Sequence, residues 1–190
     1  MERETPEYGD IPAPFVHLAA FCRQVPWFSA TGAGLSSDER KSAQALLDSM
    51  GFPDVAIVPV PDWGEAAEIA ANPGWNTDWW EAEEQRRIAL AAEAARLIGD
   101  EETLLAGLNL VSAVAGEAAF DRIEALLDAE GTDDPALLRA ATGAAAQAAY
   151  QAALMMVCET DEDHPFYHKF RLFEAGRWPL GVVGQSLSLF

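Results

Sequence analysis

LLAGLNLVSAVAG, residues 104–116, and AATGAAAQAAYQAALMMVC, residues 140–158, contain no charged side chain. Both lie inside longer segments of helical character. The turn-rich link GTDDP, residues 131–135, joins them. Uncharged, alanine-rich helices of this length are buried on nearly all sides, so these two are expected side by side at the centre of a helical domain.

The rest of the chain reads outward from that pair. Thirty-six of the 190 residues are alanine, the best helix former. Phe15, Leu18, Ala19 and Cys22 have helical spacing, and Pro26 follows them. Ser36 and Glu39 form a capping box ahead of a helix that ends at Gly51. Asp62 opens a short helix. Asn76 or Thr77 opens a long one that stops at Gly99. Asp100 caps the next, which Gly131 ends, and Asp134-Pro135 opens the one after it. His164-Pro165 starts a short helix with Phe166, Phe170 and Phe173 at i, i+4 and i+7. Two segments look extended: 55–58, β-branched and bounded by prolines, and 187–190, which alternates with the serines before it. They are expected to pair, because an unpaired strand leaves backbone groups without partners. Arg177-Trp178-Pro179 is expected to form the turn that returns the tail, with Leu187 and Leu189 inward and Ser186 and Ser188 outward, or the reverse if the register slips by one residue.

The expected fold is mainly α. It is an antiparallel bundle of about six to seven helices with a minor two-stranded β element. Residues 1–190 are read as one helical domain. Residues 1–12 form a loose arm, and residues 164–190 pack on the bundle. Small residues at Ala113, Gly116, Gly143 and 144–146 are expected where helix backbones approach.

The formal net charge is −19. That field repels phosphate backbones and anionic membranes, so neither nucleic acid nor a membrane is the expected partner. Two cysteines, Cys22 and Cys158, do not make a disulfide framework and are read as reduced, buried thiols. The polar N-terminus has no apolar signal core, and the 140–158 helix is too weakly apolar for a bilayer. The expected setting is cytoplasmic. Arginine exceeds lysine ten to two, which together with the alanine suggests a bacterial source.

No nucleophile triad, phosphate loop or closed metal-ligand set occurs in the sequence. His164 and His168 share a helix face but lack a third ligand, so no metal and no cofactor are expected. His17 and Cys22 do not share a face. The Thr31-Gly-Ala-Gly-Leu-Ser-Ser37 turn has backbone N–H groups for an anion, but no strand precedes it and no lysine follows at the spacing of a P-loop. Two groups of residues remain. Trp80, Glu84, Asn109, Glu117, Gln147 and Tyr150 would line a polar pocket within the bundle; the ordinary alternative is that such groups satisfy one another. Phe166, Phe170, Arg171, Glu174, Arg177 and Trp178 have the composition of an interaction surface; the alternative is an aromatic lid on an alanine-rich core. The first functional expectation is a binding or protein-interaction module, with a homo-oligomer or a protein partner open. The second is a small-molecule enzyme or sensor with a pocket in the bundle. The third, resting on charge, is an inhibitor of a basic protein.

Overall fold

The computed structural model describes residues 11–190, so the arm expected at 1–12 lies almost wholly outside the described residues. Seven helices follow in order: α1 (Ala13–Cys22), α2 (Ser37–Met50), α3 (Trp63–Ala70), α4 (Thr77–Ile98), α5 (Glu101–Glu130), α6 (Pro135–Cys158) and α7 (Pro165–Glu174). Three strands complete the fold: β1 (Ala56–Pro59), β2 (Pro179–Val183) and β3 (Ser186–Leu189). It is the mainly helical bundle with a minor β element that the sequence implies.

The helix ends follow the capping residues. Ser36 and Glu39 make the reciprocal capping box, and Gly51, Gly99 and Gly131 end their helices in the left-handed conformation. Asp62, Asn76, Asp100 and Asp134 each accept a backbone N–H at a helix start.

The uncharged helices α5 and α6 pack along their lengths, and α1 lies on α5. Their closest approach is not where glycine spacing alone suggests. Gly116 does face α6: a Cβ there would meet Ala146 at 3.6 Å and Thr142 at 3.9 Å. The tighter contact is Gly107, where a Cβ would fall 2.5 Å from the Phe15 ring. Gly143 is not at a helix interface; a Cβ there would meet nothing within 4 Å. Ala113 is exposed. By length and composition α5 is apolar enough to cross a membrane, with 39% of its most apolar window buried.

The β element has three strands, not two, in the order β1-β3-β2. β1 runs parallel to β3 with Ile57 opposite Leu187, so the expected pairing of the two segments holds. β2 runs antiparallel to β3 with a register shift between Pro179 and Gly181. The expected turn at 177–179 is therefore extended chain: Trp178 exchanges both backbone bonds with Phe190, at 2.7 and 3.0 Å. The reversal comes at Gly184 instead, with φ +58°. Leu187 and Leu189 are buried as expected, but Ser188 is buried too, because the sheet is covered on both faces there.

One side chain locks this sheet to the N-terminal half. Arg177 is buried, and all five of its N–H donors are used. Nε bonds Glu39 Oε1 at 2.7 Å, and one terminal nitrogen bonds Glu39 Oε2 and the carbonyl of Gly34. The other donates to the carbonyls of Ala30 and Ala33. The glycine-rich loop thus turns its carbonyls to an internal cation rather than its N–H groups to an anion. Gly176 allows the loop to close: a Cβ there would stand 2.8 Å from the Ala30 nitrogen.

The Arg177 hydrogen bonds, above all, hold the Glu39 carboxyl down at about 2. A carboxylate depressed in the folded state stabilises above its ordinary range, and that stability fades as pH falls from about 4.5 towards 2. Glu39→Gln is expected to cost on the order of 3 kcal/mol at pH 7. In urea titrations its deficit against the parent chain should shrink steadily below pH 4.5. A deficit that stays constant down to pH 2 would contradict the assignment.

Deleting residues 186–190 removes the central strand and the buried Phe190. The truncated chain is expected to lose cooperative thermal unfolding, followed by near-ultraviolet circular dichroism. Melting at the parent temperature would contradict the sheet's role.

Candidate functional site

β2 fixes the start of α4. The Asn76 backbone N–H bonds the Val182 carbonyl at 2.9 Å, and its side-chain amide bonds the Gly184 carbonyl at 3.0 Å. The Trp75 indole lies on Gly181, where a Cβ would come within 2.7 Å of the ring. Asn76 then caps α4, and the first turns of that helix present Trp79, Trp80 and Glu83. Trp178, beside Arg177, comes from the far side.

These residues surround a cavity of about 450 Å³, a size typical of small-ligand sites. Four indoles line it: Trp75, Trp79, Trp80 and Trp178. Trp79 and Trp178 are buried, while Trp80 is 42% exposed and meets Trp75 edge-on at 6.1 Å. One wall is a face of α6, with Ala140, Gly143, Ala144 and Gln147, of which Ala140 and Gly143 reach solvent. Leu46, Leu180 and Leu187 close it from α2 and the sheet, and Arg139 stands exposed at its rim.

The polar centre of the wall is Glu83, which is 5% exposed. Its Oε1 accepts from Lys169 Nζ of α7 at 2.5 Å and from Gln151 Nε2 of α6 at 2.9 Å. One carboxylate oxygen therefore ties three helices together. Burial pushes the Glu83 carboxyl up, but the Lys169 charge and the two hydrogen bonds outweigh it, so the group lies below its ordinary range and is ionised at neutral pH. Gln151 Oε1 is sealed from solvent and has no hydrogen-bond partner among the described residues.

Of the residues expected to line a pocket, Trp80 and Gln147 do so. Glu84 is one position away from the carboxylate that does; it is exposed and pairs with Arg87 at 2.8 Å. Tyr150 lies beside that Arg87. Asn109 and Glu117 are on the exposed side of α5. Of the expected interaction surface, Phe166, Phe170, Arg177 and Trp178 are buried, which places them in the core rather than on a surface. Arg171 and Glu174 form an ion pair at 3.1 Å that reaches solvent. Glu83 and Lys169 were not among the residues expected to line a pocket. The signal was present on α4, where Trp79, Glu83, Arg86, Leu90 and Ala94 share a stripe at helical spacing.

The histidines His164 and His168 and the two cysteines stand apart from this cavity. His164 caps α7 by accepting from the Phe166 N–H at 3.2 Å. Burial, helped by the Arg86 and His168 charges, lowers its basicity; burial lowers that of His168 too. Among the described residues no group of three or more His, Cys, Asp or Glu side chains could hold a metal ion. Both cysteines are free. Cys22 is buried and pushed up to about 12 by desolvation, whereas Cys158 is half-buried rather than buried. The chain matches no family model, no curated protein and no solved structure, so its own geometry carries the functional reading.

Lys169→Met leaves the Glu83 charge buried without its counter-ion, which typically costs 3–5 kcal/mol, roughly. Urea unfolding at pH 7 is expected to show that loss. Part of it should return as pH falls towards 5, because Glu83 would then fold protonated. The double variant Glu83→Gln, Lys169→Met should recover most of it. A loss below about 1 kcal/mol would show that the pair is solvated rather than buried.

Proposed function

We propose that this protein is a small-molecule binding protein whose ligand occupies the tryptophan-lined cavity between α4, α6 and the sheet. The observation that carries this reading is a largely apolar cavity of about 450 Å³ whose wall includes a buried, ionised carboxylate. A core that needed filling only for stability would not retain a charge pair beside an open space, since well-packed apolar side chains do as well or better. The four indoles supply flat contact area, and the Glu83–Lys169 pair fixes orientation. Binding fits this arrangement better than catalysis, because among the described residues no Ser, Thr, Cys, His or Tyr lines the cavity, and its one carboxylate, Glu83, is already paired with Lys169. The expected interaction module loses support, since most of its surface residues are buried. A cytoplasmic setting remains part of the reading.

Gly143 provides the test. It lines the cavity, and a Cβ there would meet nothing within 4 Å. Gly143→Leu therefore fills the cavity without a clash and replaces glycine in a helix interior, a gain of up to about 1 kcal/mol. The variant should melt at or above the parent temperature and lose the tryptophan-fluorescence response to any fragment that binds the parent chain. Undiminished ligand response in Gly143→Leu would place binding elsewhere.

A further inference from the structure

Resting on the cavity as the ligand site, we propose that its ligand is a neutral, planar nitrogen heterocycle that donates an N–H hydrogen bond to Glu83. Glu83 Oε1 already accepts two bonds, from Lys169 and Gln151. Oε2 receives no donor among the described residues, and it is not one of the unpartnered atoms sealed from solvent. Glu83 is 95% buried by its 5% exposure and lines the cavity, so the open side of Oε2 is the cavity. Covering a charged acceptor with a purely apolar molecule forfeits its hydration without replacement, so the ligand must bring a donor.

Charge narrows the class. A cation would meet the Lys169 ammonium and the Arg139 guanidinium on the same wall. An anion would meet the Glu83 carboxylate within and a chain of net charge −19 outside. A neutral donor meets neither. Lys169 spends one of its three N–H donors on Glu83, which leaves it able to bond an acceptor next to the ligand's donor. The indole faces favour a flat aromatic body. A ring with a donor and an acceptor on one edge satisfies all three conditions.

Four probes separate the classes: benzimidazole, 1-methylbenzimidazole, tryptamine and benzoate. Each is titrated at pH 8 against the full chain, with tryptophan indole N–H shifts in NMR spectra as the readout. Benzimidazole should bind about tenfold or more tighter than its N-methyl analogue, because only the former donates to a charged acceptor. In Glu83→Gln that preference should collapse to within about threefold. Equal binding of the two benzimidazoles in the parent chain, or tighter binding of tryptamine or benzoate, would overturn the ligand class while leaving the cavity a binding site. No binding by any of the four would overturn the ligand class, while the Gly143→Leu comparison decides the cavity's role separately. The probe comparison in the parent chain decides the class even if Glu83→Gln fails to fold.

Discussion

Along α6, alanine at 140 and 144 and glycine at 143 are too short to fill the space towards α4 and the sheet, and Gln147 beside them lines it. The other faces of the same helix are packed, with Ala141, Ala145, Ala148 and Ala149 buried against neighbouring helices. Small residues on both sides let α5 and α6 approach closely, but they leave one flank with nothing to close it. Large side chains from elsewhere must do so. Trp75, Trp79, Trp80 and Trp178 arrive from α4, the segment before it and the start of the sheet, and they span the flank without filling it. The cavity is therefore a consequence of composition: alanine draws the bundle together, and tryptophan bridges what alanine cannot reach.

That bridge holds because two buried ion pairs fix its supports. Arg177 joins the sheet to the loop before α2 with every donor satisfied, and its neighbour Trp178 packs against Phe28 and Trp63. Glu83 joins α4 to α6 and α7 through one oxygen. The cavity also lies where two apolar cores meet. Leu46, Trp79 and Leu187 belong to the core around α2 and the sheet, whereas Trp178 and Leu180 belong to the bundle core.

Much of the fold was legible because its signals are local. Ser36 with Glu39, Asp62, Asn76, Asp100 and Asp134-Pro135 mark helix starts by backbone chemistry that does not depend on tertiary context. The partnership of 55–58 with 187–190 followed from the need of strands for partners. β2 was hidden because Pro179 and Gly181 both read as turn residues. They are tolerated there by a register shift and by Trp75 covering the glycine. The site was half legible. Trp80 and Gln147 line the cavity as their place in the sequence pattern suggests, but Glu84 mimics Glu83, since adjacent residues on a helix differ by about 100° in direction and the exposed stripe Trp80–Glu84–Ile88 also has helical spacing. Arg177 and Trp178 looked like surface because arginine and tryptophan mark interfaces as readily as they mark saturated internal networks. Lys169 could not be found by periodicity, because its partner is 86 positions away.

The Gly143 face of α6 opens onto the tryptophan-lined cavity, and the functional reading turns on that opening. Bimane fluorescence tests it directly, because indole rings in contact with the dye quench it. Gly143→Cys and, as a control, Asn109→Cys on the exposed side of α5 would each be labelled in a background with Cys22 and Cys158 replaced by serine or alanine. The dye at 143 is expected to be strongly quenched and the dye at 109 bright, with brightness at 143 restored on unfolding in urea. Equal brightness at the two positions in the folded protein would contradict it.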